Sequence, residues 1–182
     1  MRPTRTAALL MTLAVAGCGN APTEPPRPLP VDLAPASVLG GSLGLYRNTA
    51  PGTVAAFHPD DKTTLVDEGG LWEVRRKDRL IGTLQIETLK NDVNLHRRSV
   101  RDHITDPLLV GARGDIRLSG QEVSTVDSEG GLSTLVWFGD HLLVVLQVKD
   151  TIVTGPTLAQ AIIDYLQSRQ SWVPLPELYA PV

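Results

Sequence analysis

The clearest pattern along the chain begins after Gly70, where short apolar-rich stretches alternate with polar breaks. Residues 71–76 and 80–89 are rich in strand formers and are joined by Lys77-Asp78 with Arg79, which predicts a hairpin. In the second stretch Leu80, Gly82, Leu84, Ile86 and Thr88 share one face and are expected to point inward. Asn91-Asp92 offer a helix start, and 95–106 carries Val100 and Ile104 at four-residue spacing before Pro107 stops it. Residues 115–118, 122–126, 132–138 and 141–148 are the next strand-like stretches. Gly139-Asp140 is expected to form a two-residue type II′ turn. The continuously apolar 142–146 suits a central strand covered on both faces. The last helix has Thr154 as its cap, Pro156 in its first turn, and Leu158, Ala161, Ile162, Tyr165 and Leu166 along one side. The order expected from residue 71 is therefore ββαβββα: an α+β domain with an antiparallel sheet of about five to six strands and two amphipathic helices.

Upstream the pattern weakens. Gly40 to Gly44 is glycine-rich but lacks the Gly-Lys-Ser/Thr ending of a phosphate loop, so it is taken as a turn into the domain. A strand is expected near 53–57, with Asp60-Asp61 and Asp67-Glu68-Gly69-Gly70 as exposed turns. The tail Trp172-Val173-Pro174-Leu175-Pro176 cannot be helical.

Composition sharpens the amino-terminal part. The chain has 182 residues, 42% of them hydrophobic and 20% charged, with one cysteine, so a disulfide framework is excluded and one packed domain is the default. That cysteine, Cys18, follows Arg2, Arg5 and an uncharged apolar run, which is the tripartite pattern of a secretory signal. The run is too short to span a bilayer. Val15-Ala16-Gly17-Cys18 resembles the lipobox of bacterial lipoproteins. The resemblance implies that the Cys18 thiol receives a diacylglyceryl group and that cleavage falls after Gly17, leaving Cys18 as the lipidated first residue. It also implies an extracytoplasmic location at the outer side of the cytoplasmic membrane, or the outer membrane where there are two. The expected organisation is 1–17 signal peptide, 18–37 lipidated cysteine and proline-rich tether, and 38–182 a single domain. Six prolines between Pro22 and Pro35 favour an extended, semi-rigid spacer. In its order of elements the domain is similar to PsbP/Mog1-like envelope lipoproteins; this covers about 110 residues and no motif, so no residue role follows from it.

The search for chemistry is short. His96 and His103 are seven apart, about 10 Å along a helix, too far to chelate one metal, and no zinc-ligand spacing occurs. His141 is expected as an exposed residue beside a turn. Neither Gly-x-Ser-x-Gly nor Ser-x-x-Lys is present, and Ser119 sits in a turn or bulge. Asp102 is spaced to pair with Arg98. The expectation is a protein with no catalytic residues, no metal and no cofactor.

Charge is the remaining signal. Between residues 75 and 101 eight basic residues face three acidic ones, an excess of five, whereas the rest of the chain from Cys18 carries an excess of ten negative charges. Arg75, Arg76, Lys77, Arg79, Arg97, Arg98 and Arg101 form a candidate patch for an anionic partner: lipid headgroups, a wall polymer or an acidic protein surface. Nucleic acid is disfavoured, because only Trp72 lies near enough to stack on bases. The leading expectation is a membrane-anchored, non-enzymatic binding or accessory module of the envelope. The alternatives are a carrier of an apolar ligand such as a lipid, and an envelope hydrolase.

Overall fold

The alternating segments pair into one antiparallel sheet, with a helix on each face. A computed structural model of the chain describes residues 33–49, 65–90, 93–128, 130–139, 141–149 and 153–169. The strands are β1 (Ser37–Val38), β2 (Leu43–Asn48), β3 (Val66–Arg76), β4 (Arg79–Leu89), β5 (Arg113–Leu118), β6 (Gln121–Ser128), β7 (Leu132–Gly139) and β8 (Leu142–Lys149). The helices are α1 (Arg98–Thr105) and α2 (Gly155–Ser168). Spatial order is β1-β2-β3-β4-β8-β7-β6-β5. Two meanders thus join where β4 meets β8, and α1 lies in the crossover from β4 to the far edge.

The sheet is α+β and antiparallel as expected, but it has eight strands rather than five to six. Four strands separate the helices, at the four strand-like stretches of the sequence, where the expected order ββαβββα counted three; 113–118 and 121–128 pair as a hairpin around Ser119-Gly120. Both residues of that turn have positive φ, 47° and 78°. The other additions lie in the weakly patterned part. β1 has only two residues, and β2 alternates buried Leu43 and Leu45 with Gly44 between them. β3 starts at Val66 and absorbs Asp67 to Gly70, the residues expected as a turn. Two contacts hold this polar stretch in the ladder: the Thr88 hydroxyl accepts from the Glu68 N–H at 3.0 Å, and the Trp72 ring occupies the space a side chain at Gly70 would fill. The strand expected near 53–57, the Asp60-Asp61 turn, the Asn91-Asp92 helix start, the signal segment with Cys18 and the tail from Trp172 lie outside the described residues.

Two turns differ in detail. Gly139 pairs with Leu142, so the β7–β8 loop is Asp140-His141, one residue later than expected. His141 takes φ 56° and is half-buried, and its carbonyl accepts from the Leu89 N–H at 2.7 Å. Opposite Val74 and Arg75 of β3 a register shift makes Ile81 the extra residue of β4; Ile81 is buried in the core and Leu80 exposed, reversing the expected facing of both.

β8 is covered on both faces, as its apolar run requires. Leu142, Val144, Leu146 and Val148 pack with α2, while Leu143 and Val145 belong to the cluster under α1. α2 inserts Leu158, Ala159, Ile162, Ile163 and Leu166, all fully buried, and its Thr154 hydroxyl accepts from the Thr157 N–H as expected. α2 touches β7 and β8 and also both edge strands, β1 and β5, so the sheet curls around it. Leu33, the first described residue, is fully buried in the same cluster.

Candidate functional site

The basic residues singled out by the sequence fall into two groups. Arg75, Arg76, Lys77 and Arg79 surround the β3–β4 turn, with Lys77 at φ 53°. This hairpin runs past its neighbour: β4 pairs with β8 only from Gly82 onward, which leaves Arg79, Leu80 and Ile81 beyond the β8 ladder. Arg75 bends back to Glu73 at 2.7 Å, whereas Arg76, Lys77 and Arg79 are exposed. Arg97, Arg98 and Arg101 belong to α1 and its start. α1 is reached from the opposite end of β4, and Arg101 faces Glu122 near the β5–β6 turn. Strand register therefore sets the two groups toward opposite ends of the sheet, and they do not make one patch.

The α1 group builds a cleft of its own. Between α1 and β5–β7 lies a cavity of about 120 Å³, lined by Arg98, Arg101 and Asp102 on the helix side and Asp115, Glu122 and Ser124 on the sheet, with Leu109, Val136 and Phe138 beneath. Period-two alternation puts Arg113, Asp115 and Arg117 of β5 and Glu122, Ser124 and Val126 of β6 on the α1 face. Arg113 fastens the loop after α1: it meets Asp106 at 2.6 Å and donates to the Asp106 and Leu109 carbonyls. Arg98 sits 3.8 Å from Asp102, the spacing pair expected from sequence, and the Ser124 hydroxyl donates to Asp115 at 2.8 Å.

Arg101 is the unusual member. Its side chain is only 11% exposed, and its nearest carboxylate, Glu122, is 3.9 Å away, beyond hydrogen-bond range. Burial lowers the Arg101 pKa from the usual arginine value; Glu122 and Asp102 oppose that shift by favouring the charge, and Arg98 adds to it. The cleft thus presents a poorly hydrated guanidinium inside a rim of both signs. Asp115, Glu122, Ser124 and Arg113 were not singled out from sequence. Their alternation on an edge hairpin was visible there, but not which face would meet a helix.

On the α2 side, Ser119 donates to Asp164 at 2.5 Å and receives the Gln160 amide, while Gln167 donates to its carbonyl at 3.1 Å. These bonds fasten the β5–β6 turn to α2, a positioning role. Among the described residues no three His, Cys, Asp or Glu side chains are placed to hold a metal ion, and no helix is long and apolar enough to cross a membrane. No family model, curated protein or solved structure matches the chain.

Proposed function

We propose that this protein is a lipid-anchored module of the bacterial cell envelope, held through Cys18, that binds an anionic partner without doing chemistry on it. The observation that carries this reading is the protruding β3–β4 hairpin, whose exposed Arg76, Lys77 and Arg79 surround a single acid, Asp78. Charges so placed keep their hydration until a partner arrives, and they steer association through the long-range field. The lipobox-like Val15-Ala16-Gly17-Cys18 supports the location.

The carrier reading asks for an enclosed apolar space of at least about 300 Å³. Leu84, Trp137, Leu146, Leu158 and Ile162 fill the space between the sheet and α2 with zero exposure. The depression of about 430 Å³ beside Leu39, Leu118, Pro156 and Ala161 opens to solvent. This packing favours the binding module.

Labelling cells with palmitate tests the anchor: incorporation is expected in the wild type and lost in Cys18→Ala. Crosslinking in intact cells tests the binding. Replacing Arg76, Lys77 and Arg79 with Gln should abolish partner recovery, and unchanged recovery would refute the role of the hairpin.

A further inference from the structure

Strand register gathers side chains that are scattered in the sequence. Among the described residues the exposed large apolar side chains are Leu39, Tyr46, Leu80, Val110 and Leu132, with Leu80 at 51% and Val110 at 79%. One row crosses the sheet through Val74, Gly82, Val148, Ser133 and Asp127. Leu39 in the β1–β2 turn, Leu80 in the hairpin and Leu132 at the start of β7 all lie beyond this row on the same side. Val110 is not in this set: Leu109 before it lines the α1 cleft, and Gly111 after it lies against Val126, inside the row. Tyr46, opposite Glu73, lies inside the row. Arg76, Lys77, Arg79 and Lys149 are beyond it as well, all exposed. Among the described residues of these strands and turns Asp78 is the acid on this side, so the positive excess is concentrated on the β3–β4 hairpin.

Exposed aliphatic side chains interleaved with Arg and Lys are the composition of surfaces that settle at the boundary between headgroups and acyl chains. The aliphatic groups sink while the long basic side chains reach back to phosphate. Residues 18–32 separate Cys18 from Leu33. At about 3.3–3.6 Å per residue they can span up to about 50 Å. β3, with 11 residues, is about 36 Å long at 3.3 Å per residue. The chain can therefore bring this end of the sheet to the bilayer wherever Leu33 faces.

We propose that the sheet end bearing Leu39, Leu80 and Leu132 with Arg76, Lys77, Arg79 and Lys149 docks on the anionic surface of the membrane that holds the lipid on Cys18. The proposal rests on lipid anchoring and names the partner of the hairpin.

The test uses the lipidated protein in vesicles of phosphatidylcholine, alone or mixed equally with phosphatidylglycerol, with an environment-sensitive thiol dye on Asp78→Cys or, at the other end of β4, on Lys90→Cys. The expected result is a blue shift at position 78 but not at 90, seen only with phosphatidylglycerol, reduced by Leu80→Ser and screened by salt. Changing Arg76, Lys77 and Arg79 to Gln should lower the ratio of docked to free hairpins about fivefold per charge, roughly a hundredfold together. Absence of the shift in an anchored protein overturns the proposal, as does an equal shift in neutral vesicles. A shift that needs added envelope protein overturns it in favour of an acidic protein surface. The anchor is checked separately: with the Cys18 thiol carrying its diacylglyceryl group the wild-type chain has no free thiol, so dye uptake by the wild type refutes the anchor rather than the docking face.

Discussion

At Gly82 a single carbon decides whether two strands can pair. A side chain there would run into the Gln147 carbonyl and come within 3.0 Å of the Val148 Cα, both backbone atoms of β8 that cannot move without opening the ladder. Gly82→Ala is expected to cost about 1–3 kcal/mol, seen as a lower denaturant midpoint with an unchanged slope. Nothing in the sequence separates Gly82 from a glycine of ordinary strand weakening, because the clash comes from a strand some sixty residues later. Arg101 makes the opposite case. Its guanidinium carries a desolvation cost while its nearest carboxylate stays beyond hydrogen-bond range, and Glu122 is half-exposed and can be hydrated alone. Arg101→Met, close in volume and apolar, should leave thermal stability unchanged or raise it by up to about 1–4 kcal/mol; marked destabilisation would mean that the pair holds α1 down.

Among the elements, α2 was the most legible in the sequence. Its cap, its Pro156 and its apolar stripe lie within one continuous segment, so local chemistry and burial agree. Thr154→Ala should cost about 1 kcal/mol, within a range of 0.5–2, measurable by thermal unfolding. α1 was legible as a helix but not in its extent: it starts at Arg98, after a turn in which the Asn94 side chain accepts from the His96 N–H, and it buries only Ile104 and Thr105. The hairpins around Lys77-Asp78 and near 140 were placed to within a residue, since turn chemistry is local. β1, β2 and the first part of β3 were not legible. Two residues carry no periodicity, and Asp67 to Gly70 has turn composition that only pairing with β4 and the ring of Trp72 turn into strand.

For the whole molecule, the arrangement follows from which faces need cover. The sheet curls around α2, and the two halves of the chain meet at β4 and β8, so one cluster joins Leu43 and Leu45 near the start of the domain to Ile162 near its end. Ile162→Ala should therefore cost about 2–5 kcal/mol. It should also shift the transitions followed by tryptophan fluorescence and by circular dichroism together; a separate early transition in one probe would show that α2 unfolds alone. The same arrangement divides the charged residues. A window with five excess positive charges in the sequence becomes a hairpin at one end of the sheet and a helix cleft toward the other. Among the described residues Arg76, Lys77 and Arg79 of the hairpin have no carboxylate partner, whereas α1 turns Arg101 toward Glu122.

The sequence by itself determined what depends on neighbours along the chain: the α+β class, the run 142–146 as a central strand, the capped last helix, the basic hairpin tip and the lipobox-like segment. Each is set by periodicity, turn chemistry or residue order, which act over a few residues. The tertiary structure decided the number of strands, the cleft around Arg101 and the rim that joins Leu39, Leu80 and Leu132. Those depend on register between strands far apart in the chain, and on which face of each strand a helix covers. A one-residue shift in pairing would send the same side chains to the other face.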